Sequence, residues 1–198
     1  MKRLLLCLVA LATMFSSARA QEVFRLGIIG LDTSHSVRFS ELLNAKDSDD
    51  PFVRRFEVVA AYPYGTTTIE SASSRIPKYI EEVQKYGVKV VGSIREVLDQ
   101  VDGVFIETND GRLHLEQAIE VFKSGKKVFI DKPMGATLGE TIAIFKMAEK
   151  YGIPLLGQIP IVQSIRESGD SGEPAALSTR PDALAFIDLA RSLAEAAG

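Results

Sequence analysis

Short apolar runs alternate with helix-length amphipathic stretches along most of this chain, each bounded by turn residues, and that alternation limits the folds open to it. Runs at 26–29, 56–61, 88–91, 104–106, 127–130 and 154–161 read as strands without the polar alternation of a half-exposed sheet. Between them, helix patterns cover 34–44, with Val37, Leu42 and Leu43 facing inward, then 77–86, 93–100, 113–123 and 137–152. Ser93 with Glu96, and Thr137 with Glu140, have the spacing of capping boxes, while Gly87, Gly125 and Gly152 stand where helices stop. Residues 62–74, rich in Pro, Gly, Thr and Ser, read as loop. Strands of this kind must be covered on both faces, so the expected fold is α/β: a doubly wound, Rossmann-like parallel sheet in a single domain over 22–162. A loop at 163–180 and an added C-terminal helix at 181–197 complete the expected organisation.

The start of the chain reads as a targeting segment. Lys2 and Arg3 precede a mostly apolar run at 4–15, and Ala18-Arg19-Ala20 carries a small-x-small cleavage pattern. Twelve residues are too few for a span that needs about 20. Residues 1–20 are therefore expected to be a signal peptide, the mature chain to begin at Gln21, and the protein to be exported to the periplasm or the extracellular space without a stable membrane span. With 23 basic against 26 acidic residues the chain offers no basic surface for nucleic acid, and losing Lys2, Arg3 and Arg19 makes it more acidic still. A single cysteine, Cys7, excludes a disulfide framework and a multi-thiolate metal site, and no metal site is expected from the sequence.

Chemistry is signalled first at Gly27-Ile28-Ile29-Gly30, which runs into a helix where a dinucleotide fold places its phosphate turn. Counting from Gly30, the fingerprint asks for glycine at 32 and 35, and the chain has Asp32 and His35. A carboxylate at 32 adds bulk and like charge beside a pyrophosphate. Thr33, Ser34 and the helix amides could still face the cofactor, with His35 offsetting the charge; equally, Asp32 could simply cap the helix. The second strand ends in Ala61-Tyr62-Pro63-Tyr64 rather than in an acid for the adenine ribose. Tyr62 or Tyr64 could stack on an adenine, or pack at the rim.

Three segments together resemble the N-terminal domain of the Gfo/Idh/MocA oxidoreductases: Gly27-Ile28-Ile29-Gly30; Val101-Asp102-Gly103-Val104-Phe105-Ile106 leading to Thr108 and His114; and Gly125-Lys126-Lys127-Val128-Phe129-Ile130-Asp131-Lys132-Pro133. The family's usual Glu-Lys-Pro stands here as Asp131-Lys132-Pro133, and the resemblance spans 23–156. It implies a domain that binds NAD or NADP, here weakly, with Lys132 beside the nicotinamide to polarise or deprotonate a substrate hydroxyl. Asp131 and Pro133 would fix the lysine's loop, and Thr108 and His114 would line the cofactor cleft, although His114 at a helix start could equally be a packing residue. Sugars or polyols are the implied substrates, and a homo-oligomer is compatible with the sequence.

The family continues into a substrate domain for which this sequence leaves only about forty residues. Residues 155–198 instead resemble the carboxyl end of Mrp-type iron–sulfur carrier ATPases, yet the chain has no Gly-x-x-x-x-Gly-Lys-Ser/Thr loop and its only cysteine is Cys7. A strand followed by a helix there would complete the sheet. Two functions are open at this point: the cofactor domain of an oxidoreductase lacking its substrate domain, or a non-catalytic exported domain that binds a small carbohydrate-like ligand or a partner.

Overall fold

A computed structural model describes residues 23–45 and 48–197. The signal segment lies outside the described residues. The chain divides into two compact units, Met1–Ile153 and Pro154–Gly198.

The first unit holds five parallel strands: β1 (Phe24–Ile29), β2 (Phe56–Tyr62), β3 (Lys89–Val90), β4 (Gly103–Ile106) and β5 (Lys127–Ile130), in the order β3-β2-β1-β4-β5. Chain order reverses at β1, so the crevice between the carboxyl ends of β1 and β4 is the topological switch point where such sheets bind ligands. The connecting helices are α1 (Ser34–Leu43), α2 (Glu70–Ser73), α3 (Ile76–Lys85), α4 (Ile94–Leu98), α5 (His114–Ser124) and α6 (Leu138–Lys150).

Both faces of the sheet are covered, as strands made of Val, Ile and Ala require. On one face, Ile29, Ala60, Val104 and Ile106 pack with Val97 of α4, Val121 and Phe122 of α5 and Ile144 of α6. On the other, Leu26, Ile28, Val58 and Ala61 pack with Tyr79 and Val83 of α3, with Val37 and Leu43 of α1 against them. The helix starts follow their local chemistry: Ser93 Oγ accepts from Glu96 N at 3.2 Å, and Thr137 with Glu140 closes a full capping box.

Four expectations need correction. Leu42 is exposed, because α1 turns Ser36 and Ser40 to the sheet, their hydroxyls bonded back to Thr33 O and Ser36 O. Small, internally satisfied side chains let the helix come close. No strand forms over 154–161 among the described residues, so the sheet has five strands and the C-terminal segment does not complete it. Pro154 and Pro160 each remove a ladder donor, and Ile161 is fully exposed. The expected loop at 163–180 instead opens with α7 (Gln163–Asp170), whose glycine and serines argue against a helix but whose Gln163–Glu167 and Arg166–Asp170 pairs support one. A short helix, α2, likewise interrupts the loop at 62–74.

The second unit also contains two 3-10 turns, Ala175–Leu177 and Pro181–Ala183, and α8 (Leu184–Ala197). Leu184, Ile187 and Leu193 of that helix are exposed.

Candidate functional site

The carboxyl ends of β1, β2 and β4 meet at Gly30. Its φ of +92° favours glycine, its amide donates to Tyr62 O at 2.9 Å, and a Cβ there would come within 2.5 Å of Thr108 Oγ1 and 2.6 Å of Thr108 N. The next residue, Leu31, donates to Pro63 O, and Glu107 N donates to Ile29 O at 2.8 Å. A rigid turn thus leads directly into α1.

Asp32 neither caps α1 nor presents its charge to solvent. It is fully buried, and its carboxylate accepts from Thr66 N at 3.0 Å and Asn109 N at 2.9 Å, bracing the loops after β2 and β4 against the β1 turn. Only glycine fits opposite it: a Cβ on Gly65 would lie 2.3 Å from Asp32 Oδ2. The start of α1 is consequently free of side-chain capping. Thr33 is its extended N-cap without a cap bond, no acid lies in the first turn, Ser34 is exposed, and Thr33 Oγ1 is buried with no partner among the described residues. An uncapped helix amino end at a switch point suits an anion such as a pyrophosphate.

The ends of β4 and β5 carry the charged groups. Glu107, directly after β4, has 0% exposure, and neither of its oxygens has a hydrogen-bond partner among the described residues. Burial first, then the like charge of Asp131, push its pKa up to about 8 against the opposing pull of Lys132. Asp131 N donates to Ile106 O, and Asp131 Oδ2 lies 2.7 Å from His35 Nδ1 and 3.4 Å from Lys132 Nζ. Burial raises the Asp131 carboxyl, but the Lys132 amide, the His35 bond and the charges of both neighbours outweigh it and hold the group below its ordinary value. His35 Nδ1 is also 3.7 Å from Glu107 Oε2. Lys132 itself is exposed, ahead of an exposed Pro133 joined by a cis peptide, and its ammonium lies on the same end of the sheet as the Gly30 turn.

Two expected cleft residues are placed differently. Thr108 and His114 are both fully buried, and His114 Nε2 lies 2.6 Å from Thr108 O, so the imidazole braces the β4 loop rather than lining an open cleft. Thr108 occupies the space over Gly30 that a Cβ would need. Tyr62, half-buried, packs against the core and edge-on to the exposed Tyr64 at 5.6 Å.

Sequence reasoning missed Glu107, Asn109 and a neighbouring cluster of Thr66, Asp110 and Arg112. Asp110 accepts from Arg112 Nε at 2.8 Å and from Thr66 Oγ1 at 3.0 Å, and these bonds, the arginine's first, hold its pKa down at about 2. Glu107 was findable as the first charged residue after β4 at the switch point. The grouping of His35, Glu107 and Asp131 was not, since these residues are far apart in sequence and meet only through the sheet.

Residues 24–156 match the family model described as "Oxidoreductase family, NAD-binding Rossmann fold". The chain belongs to the Gfo/Idh/MocA oxidoreductase family. NAD(P) is the cofactor of this family fold, and the Gfo/Idh/MocA domain here has its parallel sheet and flanking helices. Solved structures are similar to the chain. The WlbA dehydrogenase from Bordetella pertussis, in complex with NADH and UDP-GlcNAcA, is 21% identical with a TM-score of 0.50, over 76% of this chain and 42% of that one. UDP-N-acetylglucosamine 3-dehydrogenase GnnA from Acidithiobacillus ferrooxidans is 19% identical with a TM-score of 0.49, over 74% of this chain and 42% of that one. Biliverdin reductase from Synechocystis sp. PCC 6803, in complex with biliverdin and NADP+, is 21% identical with a TM-score of 0.47, over 65% and 35%. The chain spans less than half the length of each of these proteins. No curated protein matches it.

Proposed function

We propose that this chain is the cofactor-binding part of a nicotinamide-dependent oxidoreductase acting on a hydroxyl of a sugar- or polyol-like substrate. The observation that carries the reading is the joining, at one switch point, of an uncapped helix amino end and a lysine-bearing loop, with Gly30 and Asp131 as the fixed points between them. The residues fit the cofactor's phosphates, because the amino end of α1, following the Gly30 turn, has no side-chain cap and Asp32, braced by two amides, has its oxygens engaged elsewhere. They fit its adenosine end less well, since Tyr62 and Tyr64 stand where a ribose-binding carboxylate is expected. Weak binding of NAD or NADP is the consequence.

When bound, the nicotinamide supplies the hydride acceptor. Lys132 then polarises the substrate hydroxyl as its ammonium or, as the neutral amine, takes its proton, and Asp131, held by His35, keeps the lysine side chain in position. The sugar-modifying dehydrogenases among the similar structures support the substrate class, and the share of those chains covered supports a substrate domain supplied outside this stretch. In the same reading residues 1–20 are an export signal, and the 155–198 tail is a graft that carries neither ATPase nor cluster-carrier chemistry.

A second reading, an exported binding domain without catalysis, draws on the missing ribose carboxylate. Incubating the protein with NAD+ or NADP+ and a panel of sugars and polyols, while following reduced-cofactor absorbance, separates the two. Reduction that Lys132→Ala abolishes supports the oxidoreductase, and its absence across the panel, despite cofactor binding, supports the binding domain.

A further inference from the structure

We propose that His35, Glu107 and Asp131 form a binding site for a divalent first-row transition-metal ion such as zinc(II) or cobalt(II). The three side chains come from the start of α1 and the ends of β4 and β5, and one ligand atom from each lies within 4.8 Å of the others. Ligand bonds of about 2.0–2.2 Å place the ligands of one ion roughly 3–3.5 Å apart, a range that the separations of 2.7 Å and 3.7 Å from His35 Nδ1 bracket, while the Glu107 and Asp131 oxygens, within 4.8 Å of one another, would close on the ion by side-chain rotation.

The independent mark of a ligand is Glu107. A carboxyl group with no exposure and no hydrogen-bond donor on either oxygen is costly in a folded protein and calls for a partner. The groups it faces are a second carboxyl and an imidazole nitrogen, both of which donate electron pairs to a cation. The two carboxyl groups disfavour an anion. The imidazole favours borderline metals over magnesium or calcium, which prefer oxygen ligands alone.

The site is anchored but open. Two of its ligands follow directly from strands of the sheet, whereas the His35 side chain is 41% exposed, so coordination positions remain on the crevice side. An ion held there neighbours Lys132, whose ammonium already contacts Asp131. Its free positions suit a hydroxyl or carbonyl oxygen of a small substrate, which the ion would polarise as a Lewis acid. The inference does not depend on nicotinamide binding.

The test uses the full chain, stripped with a chelator, in the absence of any nicotinamide. Cobalt(II) titration followed by visible d–d absorption, with equilibrium dialysis for stoichiometry, should give one saturable equivalent that zinc(II) displaces. His35→Ala, at a partly exposed position, and Glu107→Gln, which keeps the shape and replaces the carboxylate oxygens a metal would bind, should each weaken binding at least tenfold with unchanged far-ultraviolet circular dichroism. A melting temperature raised by zinc(II) in the wild type but not in His35→Ala is the second readout. Absence of a saturable cobalt spectrum, or a spectrum whose affinity survives both substitutions, would overturn the proposal and leave the cofactor reading untouched.

Discussion

The two sides of the switch-point crevice differ sharply in chemistry. Beyond β4 and β5, Glu107, Asp131, His35 and Lys132 bring four ionisable groups together, two of them on buried carboxyls. Beyond β2 the chain offers Tyr62, Pro63 and Tyr64, with no carboxylate to recognise a ribose. The side where a reacting group would sit is dense with polar function, while the side that would hold the adenosine is plain. In the proposed reading, reactivity and cofactor affinity fall to different strands of one sheet, so substitutions should alter them separately.

The largest expected effect concerns Glu107. A carboxyl raised from 4.5 to about 8 contributes stability that is full below the ordinary carboxylate range and is lost as pH rises through the folded value. In chelator-treated protein, stability should thus fall between about pH 5 and 9 by something on the order of 4 kcal/mol. Glu107→Gln should flatten that slope in urea unfolding measured across the range. An unchanged slope would mean that Glu107 is solvated or paired in solution.

Asp32 ties the plain side to the reactive one, so its loss should be felt as stability. Asp32→Ala leaves the Thr66 and Asn109 amides without their acceptor and should cost about 3 kcal/mol. Removing the bulk with Asp32→Gly would sacrifice the same brace, so a cleared phosphate site should not by itself improve cofactor binding. A stable Asp32→Gly variant with tighter NADH binding would show that the brace is dispensable.

Lys132 should behave in the opposite way. Its exposed side chain predicts a stability change within about 0.5 kcal/mol for Lys132→Ala, together with a loss in kcat of about a hundredfold or more. A large fall in melting temperature would instead mark a structural lysine. The smallest effect is on the plain side: Tyr64→Asp, placing a carboxylate at the exposed end of β2, should strengthen NADH binding by about tenfold and favour it over NADPH. No change would put the adenosine elsewhere.

Much of this arrangement is legible in the sequence. β5 falls where its apolar run predicts, the Thr137–Glu140 capping box forms, and Gly30 stands at the turn the strand-then-helix pattern marks, whereas at Ser93 only half the expected box forms, the Glu96 carboxylate taking Gly92 N and Ser93 Oγ instead of the cap amide. What the linear pattern does not carry is the meeting of strand ends. Asp32 reads as a cap or an obstruction because the two amides that occupy it come from loops 34 and 77 residues away. Glu107, a lone acid after an apolar run, acquires its perturbed chemistry first from its burial in the folded sheet and then from Asp131, which the pairing of β4 and β5 sets beside it. The apolar content of 154–161 suggests a strand, but Pro154 and Pro160 and the absence of a pairing partner among the described residues prevail.

The central claim is that the crevice beside Gly30 is a nicotinamide site, and titration with NADH and NADPH followed by cofactor fluorescence tests it most directly. The account predicts weak, saturable binding to one site, lost in Gly30→Ala, where a Cβ would press on Thr108, and retained in Lys132→Ala. No saturable binding, or binding indifferent to Gly30→Ala in a folded variant, would contradict it.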